Sequence, residues 1–369
     1  MTPAGRRYNW DMDLLSPPVA RILPAFLDQP ADALRTWFAD RGQPAMRVKQ
    51  VRRWLLDGRA ESFEGMSDLP KDLRAELIGS FAPLGTRIDR HLQASDDTHK
   101  LLVRLADGKS VECVLIQEPP RRTACISTQV GCGMGCVFCA SGLNGVVRNL
   151  TAGEILEQLV RLRNLTPPDG RLSHVVVMGM GEPLANLDSL LEALEVAGHK
   201  DGLGIGARHI TISTVGLPVK IRRLADLGKQ YHLAVSLHAP NDLLRTRIVP
   251  TNDKTGINEI LAAADYFHEK TGRQVTYEYV LLGGLNDSPR EARELATLLR
   301  GRKAHVNLIP FNDVEGLPYA RPTVEAQTAF IDTLRRAGLS VKVRKRKGSE
   351  IDAACGQLRR KVEQELAPA

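Results

Sequence analysis

The feature that most constrains the fold is a regular alternation of strand-like and helix-like segments between residues 125 and 344. The segments predicted as strands are Cys125–Val130, Ser173–Met178, His209–Ser213, His232–Leu237, Val275–Leu282, His305–Ile309 and Leu339–Arg344. Amphipathic helices are predicted near 152–165, 187–198, 216–227, 256–271, 288–300 and 323–337. Such alternation builds a parallel sheet with right-handed crossovers. Six strand–helix units are too few to close an eightfold barrel, so we expect an α/β fold, an open (β/α)6 partial TIM barrel with its active site at the carboxyl ends of the strands.

The remainder of the chain divides into shorter parts around this core, which we place at 118–348. Residues 1–30 are rich in proline and predict a loose arm. Residues 31–84 carry apolar side chains at helical spacing and predict an N-terminal helical domain. Residues 85–117 alternate in short strand-like segments and predict a small β linker, and residues 349–369 form a C-terminal extension.

Composition and charge narrow the class of protein. The chain of 369 residues is 43% hydrophobic and 25% charged, which excludes a disordered or fibrous protein. Its apolar runs are too short to span a bilayer and its N-terminus does not resemble a secretion signal, so we expect a cytoplasmic protein with no membrane contact. Of the net charge of +7, the segment from Lys342 to Lys361 carries +6, which favours a polyanionic partner. A merely solvated basic tail is the alternative.

Three of the six cysteines form a C-x3-C-x2-C motif in a glycine-rich loop after the first predicted barrel strand. They are Cys132, Cys136 and Cys139. In a cytoplasmic chain such a set favours metal binding over disulfides. Structural zinc and ordinary [4Fe-4S] clusters usually take four protein ligands, so three thiolates around a cube would leave one iron open to another ligand. A zinc or redox site is the alternative.

Three cysteines at this spacing resemble the signature of the radical S-adenosylmethionine (SAM) superfamily. The resemblance implies a [4Fe-4S] cluster whose open iron binds SAM and cleaves it to a 5′-deoxyadenosyl radical, with Phe138 shielding the cluster. The motif GMGEP after the second strand is similar to the superfamily's methionine-binding motif. By this likeness we expect SAM contacts from residues at the carboxyl ends of the strands: Gly181, Glu182, Ser213, Ser236, Leu237, His238 and Asn312. Tight turns and helix caps are the plainer explanation of the same glycines and serines.

Further motifs narrow the resemblance to the RlmN/Cfr family of radical SAM rRNA methyltransferases. They are CISTQVGCGMGCVFCASG, RNLTAGEI, MGMGEPLAN, TISTVG, SLHAP, HVNLIPFN and EIDAACGQL, and they extend the match from about residue 31 to Leu358. The resemblance implies that Cys355 takes a methyl group from one SAM, is activated by a second, and adds its carbon to the RNA base as a covalent adduct. Cys125 would resolve that adduct as a base and as partner to Cys355 in a transient disulfide bond. Glu112 would accept a proton, an exposed strand acid being its plainer interpretation.

The same resemblance implies the partners. These are 23S rRNA, tRNA and an electron donor such as flavodoxin or ferredoxin. The target base must be unstacked to be reached, and helix Ala45–Leu56 and the basic tail are the expected phosphate contacts. We favour methylation of adenine C2, because Ile351 and Asp352 fit the C2-methylating members, whereas Gly348 and Ser349 are closer to the C8-methylating, Cfr-like relative. A zinc-stapled RNA-binding protein without catalysis is the remaining alternative.

Overall fold

The computed structural model describes residues 23–358 of the chain. Most of the predicted N-terminal arm lies outside the described residues, as do Arg359, Arg360 and Lys361 of the basic tail. Among the helices that the structure describes, none combines the length and apolarity needed to cross a membrane.

The N-terminal part consists of three helices: α1 (Ala31–Ala39), α2 (Met46–Leu56) and α3 (Lys71–Ser80). Their buried faces surround a group of aromatic rings, in which Phe26 packs edge-on against Phe63 at 6.1 Å and against Phe81 at 5.6 Å. The apolar contacts continue without a break into the core of the following sheet. The helical part is therefore packed onto the barrel through a common core.

A ten-stranded sheet forms the body of the protein, with strand order β1-β2-β3-β4-β7-β8-β9-β10-β11-β12. Its first strands are β1 (Arg87–Gln93), β2 (Thr98–Arg104), β3 (Ser110–Glu118) and β4 (Arg121–Cys125), and they pair antiparallel. The later strands are β7 (His174–Val177), β8 (Ile210–Thr214), β9 (His232–Ser236), β10 (Val275–Leu281), β11 (Ala304–Pro310) and β12 (Ser340–Val343). From β4 to β12 every neighbouring pair is parallel. The short strands β5 (Gln129–Gly131) and β6 (Val146–Asn149) form a separate hairpin.

Helices connect the parallel strands; six of the seven that follow correspond to predicted helices, and the short helix Asp242–Ile248 was not predicted. They are α4 (Ala152–Asn164), α5 (Leu187–Gly198), α6 (Pro218–Asp226), α7 (Asp242–Ile248), α8 (Ile257–Thr271), α9 (Pro289–Leu298) and α10 (Val324–Arg336). Capping boxes begin α4, at Thr151 and Glu154, and α9, at Ser288 and Glu291. The structure contains six strand–helix units and one further strand. The edge strands of the sheet, β1 and β12, do not pair with each other, which confirms the open α/β partial barrel.

Two features of the sheet differ from the sequence prediction. The first barrel strand is Arg121–Cys125, not Cys125–Val130, so Cys125 lies at its carboxyl end. The prediction was wrong there because the residues on both sides of Cys125 are compatible with a strand. Long-range pairing decides the boundary: Cys125 pairs with Val114 of β3 and Val176 of β7, so the segment that ends at Cys125 forms the strand. In addition, the predicted β linker is part of the same sheet as the barrel, because β3 pairs with β4 along its edge.

Candidate active site

The loop between β4 and α4 presents the three cysteines of the motif. Its path requires glycine, since Gly131 has φ +80° and a Cβ there would lie 2.1 Å from the carbonyl oxygen of Gly145. The backbone N–H of Val137 donates to Ile248 O at 3.1 Å, which ties the loop to the end of α7. The loop is therefore held by backbone contacts that leave the thiols free to face the barrel interior.

The cysteine side chains line one wall of a cavity of about 900 Å³ at the carboxyl ends of the parallel strands. The three loop cysteines, the predicted SAM contacts other than Leu237, and Cys355 all line it. Burial raises the pKa of Cys132 to about 12 and also raises those of Cys136 and Cys139. Metal binding at these thiols must therefore release protons, as is usual for thiolate ligands.

The donor set fits a cluster better than a single ion. In residues 23–358, no three His, Cys, Asp or Glu side chains converge closely enough to hold one metal ion. Tetrahedral zinc needs its sulfur ligands about 2.3 Å from one point, and a [4Fe-4S] cube accepts thiolates that are farther apart. Three thiols spread along a single cavity wall meet the second requirement.

Gly181 and Glu182 lie opposite the cysteine loop, after β7. Gly181 has φ +103°, and a Cβ there would lie 2.7 Å from that of Gln129. The buried Glu182 carboxylate accepts hydrogen bonds from the N–H groups of Leu184 at 3.0 Å and Val215 at 2.8 Å. Burial raises its pKa, and these donors act in the opposite direction. Glu182 therefore caps a helical turn and bridges two strand ends, besides lining the cavity.

The predicted SAM contacts on β8 and β9 are brought together, with one exception. The hydroxyl oxygens of Ser213 and Ser236 lie 3.5 Å apart on the cavity wall. Leu237 is fully buried and does not line the cavity; its N–H donates to Glu278 O at 3.0 Å. Any contact it makes with a cofactor must therefore pass through its backbone or its neighbours.

His238 lines the cavity in an unusual backbone conformation, with φ +62°. Its Nδ1 accepts a hydrogen bond from the Val280 N–H at 3.1 Å, and its ring packs edge-on against Phe138 at 4.8 Å. Burial lowers the pKa of His238 to about 3. The imidazole is therefore neutral, with its proton on Nε2, and cannot act as a cation toward a ligand.

The C-terminal extension places Cys355 between the cysteine loop and β11. Backbone and side-chain bonds hold the segment: Ala140 N–H to Gly356 O at 2.8 Å, Ser141 Oγ to Leu358 O at 2.6 Å, and Asn312 Nδ2 to Cys355 O at 3.1 Å. Cys355 thus faces the same cavity as the loop cysteines.

Cys125 is near enough to Cys355 for their charges to interact. Burial raises the pKa of Cys125 to about 12, and the neighbouring Cys355 raises it further. Burial also raises the pKa of Cys355, against the effect of Arg344. The structure therefore brings together two cysteines that are 230 positions apart in the sequence, although neither belongs to the loop motif.

Sequence reasoning missed two charged residues of this site. Arg344, counted only as part of the basic tail, lines the cavity and contacts Met178 Sδ through Nη1 at 3.4 Å. Its guanidinium lowers the pKa values of Cys355 and Cys125. Glu278, on β10, lines the same cavity and accepts a hydrogen bond from Asn307 Nδ2 at 2.9 Å. Glu278 could have been found from the sequence, because it is a carboxylate within the apolar segment VTYEYVLL. Acidic side chains are seldom buried unless they are paired or functional.

Glu112 lies on β3 and does not line the cavity of about 900 Å³. Its side chain is buried and forms a 3.0 Å ion pair with Lys100, whose Nζ also donates to Asp352 O at 3.2 Å. The plainer expectation of an exposed acid is therefore wrong. On β3 Glu112 shares a strand face with Val114 and Ile116, two residues that lie beside Cys125 and Cys355.

The expected phosphate contacts on α2 are partly occupied within the protein. Asp68 accepts a hydrogen bond from Trp54 Nε1 at 2.6 Å and pairs with Arg53 at 3.3 Å, and its carbonyl accepts from Arg47 at 3.1 Å. Lys49 remains exposed on this helix.

Comparisons with known proteins agree with this architecture. The family model of the radical SAM superfamily matches residues 126–296, and that of the ribosomal RNA large subunit methyltransferase N-terminal domain matches residues 25–81. The "Probable dual-specificity RNA methyltransferase RlmN" of Rhodopirellula baltica is 57% identical over 329 residues, 89% of each chain. The "Probable dual-specificity RNA methyltransferase RlmN 3" of Opitutus terrae is 45% identical over 93% of this chain and 96% of its own.

A solved structure extends the likeness to three dimensions. The crystal structure of a radical SAM methyltransferase from Sphaerobacter thermophilus superposes with a TM-score of 0.88 at 44% identity, over 91% of this chain and 99% of its own. With relatives this similar over nearly the whole length, the chain belongs to the RlmN family of radical SAM RNA methyltransferases, and it is a SAM-dependent enzyme of the [4Fe-4S] class.

Proposed function

We propose that this enzyme methylates C2 of an adenine in the peptidyl-transferase region of 23S rRNA and C2 of the anticodon-adjacent adenine in tRNAs. The observation that carries the proposal is the position of Cys355, on the wall of the cavity that also contains the cysteine loop. A methyl carrier must reach both the cofactor and the RNA, and a cysteine in that wall can do so. The relatives' description as dual-specificity RNA methyltransferases supports two RNA substrates.

The residues of the cavity divide into two groups in this proposal. Cys132, Cys136 and Cys139 hold the cluster. Contacts to SAM come from Gly181, Glu182, Ser213, Ser236, Leu237, His238 and Asn312, with Leu237 acting through its backbone. When bound, the cluster and SAM supply a 5′-deoxyadenosyl radical, which removes a hydrogen atom from an otherwise unreactive methyl group.

Cys355 carries the one-carbon unit. Its sulfur, after losing its proton, takes a methyl group from a first SAM, with S-adenosylhomocysteine as the other product. The S-methyl group then loses a hydrogen atom, using a second SAM and one electron from a donor such as flavodoxin or ferredoxin. The resulting methylene carbon bonds to C2 of adenine, a position that is too electron-poor to take a methyl group directly, and a protein–RNA adduct forms.

Cys125 and Glu112 complete the turnover. Glu112 is the final acceptor of the proton that leaves C2; because its carboxylate lies outside the cavity, paired with Lys100, the proton reaches it through an intervening group or water. One electron leaves with that proton and would be accepted by the cluster, which gave up one electron when SAM was cleaved, so the adduct is closed-shell before it is resolved. Cys125 then forms a sulfur–sulfur bond with Cys355, the Cys355 sulfur–carbon bond breaks, and the carbon takes a proton to become the methyl group. A thiol reductant restores the transient disulfide to two thiols.

RNA binding is assigned to the parts outside the barrel. The helical domain at 31–84 acts as an accessory RNA-binding unit, with Lys49 of α2 exposed for phosphate contact. Residues 349–369 combine the methyl carrier with basic residues. Such contacts supply affinity and orientation but no base specificity, so the choice of adenine depends on the site at Cys355.

The test is to locate the added methyl group. Anaerobically purified full-length enzyme is incubated with SAM, a reductant and unmodified transcripts of 23S rRNA and tRNA, and the nucleosides are analysed by mass spectrometry. We expect 2-methyladenosine from both transcripts. 8-Methyladenosine would support the Cfr-like alternative, and a colourless, iron-free protein that binds RNA without modifying it would support the zinc alternative. Either result would overturn the proposal.

A further inference from the structure

The segment that carries Cys355 is bonded to the turn between β1 and β2 as well as to the barrel. The N–H and hydroxyl groups of Ser95 donate to the Glu350 carboxylate at 3.1 Å and 2.6 Å. The Asp96 carboxylate accepts a hydrogen bond from the Gly348 N–H at 3.1 Å. The partners in these bonds are 252 to 255 positions apart in the chain. The β1–β2 turn therefore holds the first part of the segment, whereas the bonds to the barrel hold its last part.

Lys100 of β2 makes a further bond to this segment, and this bond differs from the others because the lysine is buried. Its Nζ donates to Asp352 O at 3.2 Å and pairs with the buried Glu112 carboxylate at 3.0 Å. A buried ammonium depends on such partners, because water is not there to replace them. One cation therefore joins the Cys355 segment to Glu112 of β3.

The backbone that leads to Cys355 includes one costly conformation. Asp352 has φ +51°, in the left-handed region that is uncommon for residues other than glycine. Gly348 and Gly356, on either side of it, have φ +60° and +86° and adopt this region readily. Lys100 bonds to the only one of these three positions that is not glycine. Loss of that bond would allow Asp352 to relax, and Cys355, three positions later in the chain, would move with it.

We propose that Lys100 is a positioning residue for the methyl transfer. Its ammonium fixes the Cys355 segment at Asp352 and holds the Glu112 carboxylate, so that the methyl carrier and the final proton acceptor keep one arrangement relative to each other. The inference rests on the proposed function and adds to it a residue that does not line the cofactor cavity. A neutral side chain of the same length cannot replace lysine, because it would neither pair with the carboxylate nor donate to the carbonyl oxygen.

A purely structural Lys100 would behave differently. If it only stabilised the sheet, its loss would lower cluster content and every step of the reaction together. If it positions the Cys355 segment, the cofactor cavity stays intact, and 5′-deoxyadenosine continues to form while fewer methyl groups reach the RNA. The ratio of 5′-deoxyadenosine to methylated RNA therefore separates the two roles.

The first experiment replaces Lys100 in full-length, cluster-loaded enzyme with unmodified tRNA transcript as substrate. For Lys100→Met we expect kcat of RNA methylation to fall roughly 10- to 100-fold and KM for tRNA to stay within about twofold, because misplaced groups slow the reaction without weakening RNA binding. Formation of 5′-deoxyadenosine should change by less than about twofold, so its ratio to methylated RNA rises. Lys100→Arg keeps a cation that can donate to both oxygen atoms and should recover part of the loss.

The matched control is Arg104→Met on the same strand. Arg104 pairs with Asp89 of β1 and donates to Gly108 O at 2.7 Å, so its loss breaks an ion pair of the same hairpin without removing a bond to the Cys355 segment. We expect thermal stability to fall, while kcat and the product ratio stay within about twofold of wild type.

The second experiment removes both charges of the buried pair. Lys100→Met alone leaves the Glu112 carboxylate without its cation, whereas Lys100→Met combined with Glu112→Gln leaves neither charge and is easier to fold. Compared with Glu112→Gln alone, the double variant should methylate the Cys355 sulfur at least about fivefold more slowly, because it has lost the bond to Asp352 that the single variant keeps. Peptide mass spectrometry measures this step in the absence of RNA.

Iron content and thermal unfolding show whether each variant has folded. Equal rates of Cys355 methylation in Glu112→Gln and the double variant would overturn the assignment of Lys100. Parallel losses of 5′-deoxyadenosine and methylated RNA in Lys100→Met enzyme of wild-type iron content would also overturn it. If the wild-type enzyme methylates neither tRNA nor 23S rRNA transcript, it is the proposed function that fails.

Discussion

Both ends of the parallel strands carry polar side chains, but the two ends use them differently. At the amino end, His174 and His209 lie ring to ring at 4.9 Å, and His232 contacts Arg208 O at 3.0 Å beside Arg273. At the carboxyl end, thiols, hydroxyls and carboxylates face a cavity of about 900 Å³.

The comparison shows that a ligand-sized cavity, rather than the presence of polar side chains, distinguishes the carboxyl end of this sheet from its amino end. The amino-end histidines make their hydrogen bonds to one another and to neighbouring backbone, and burial and nearby cations lower the pKa values of His174 and His232. The carboxyl-end groups instead line a space in which a ligand can replace water. Substitutions at the two ends should therefore fail in different ways.

The sharpest test of this contrast is loss of a loop cysteine. Cys139→Ala leaves two thiolates, too few to hold a cluster, so we expect 5′-deoxyadenosine production to fall by at least about a thousandfold. Iron content and product chromatography measure this. The matched control is Cys113→Ala, at a fully buried cysteine of β3 outside the cavities, which should cost about 1 kcal/mol of stability and leave activity intact. Native rates of SAM cleavage in Cys139→Ala would contradict the cluster assignment.

The second test separates Cys125 from Cys355. Cys355→Ala removes the proposed methyl carrier, so neither methylated RNA nor adduct should form, although SAM can still be cleaved unproductively. Cys125→Ala permits addition to the base but blocks resolution, so enzyme should accumulate covalently bound to RNA. A denaturing gel shows this as a slow band that nuclease removes. Equal, modest losses of stability in both variants, with no adduct in either, would mean that the pair is only part of the core.

The third test concerns the charge beside Cys355. Arg344 lowers the pKa of this thiol, so Arg344→Gln should shift the pH profile of Cys355 methylation to higher pH and slow it about tenfold near neutrality. Glu278 raises the same pKa, so Glu278→Gln should shift the profile the other way. Quantifying S-methylcysteine over a pH series measures both. Identical profiles in the two variants would show that neither charge acts on the thiol.

The smallest effect is expected at the amino end. Burial lowers the pKa of His174 to about 4 in the folded protein, with nearby Arg121 acting in the same direction. Between the unfolded pKa of about 6.5 and the folded value, the unfolded chain binds more protons, so this group makes stability fall as pH falls. His174→Gln should flatten that part of the stability curve by less than about 1 kcal/mol and leave methylation at neutral pH unchanged. Urea unfolding at several pH values provides the measurement, and a loss of activity would break the contrast between the two ends.

The sequence predicts what depends on local pattern. The six strand–helix units, the capping boxes at Thr151 and Ser288 and the glycine loop all follow from periodicity and residue type over short windows. Pairing between segments that are distant in the chain cannot be predicted from such short windows. The position of Cys125 at the end of its strand depends on β3 and β7, and the burial of Arg344 depends on a cavity formed by several strands. The ion pair between Lys100 and Glu112 is hidden for the same reason, because cross-strand register decides which residues meet.

The bonds that hold the Cys355 segment also determine when the catalytic centre is complete. Ser141 and Leu358 are joined by a hydrogen bond although they are 217 residues apart in the chain. During synthesis the cysteine loop leaves the ribosome early, and domains fold from the N-terminal side as they emerge. A message truncated after β12 would encode all the strands described between residues 23 and 358 and the three loop cysteines, but not Cys355. If Cys355 carries the methyl group as proposed, such a product would consume SAM and electrons without modifying RNA, so the productive reaction requires translation beyond Leu358.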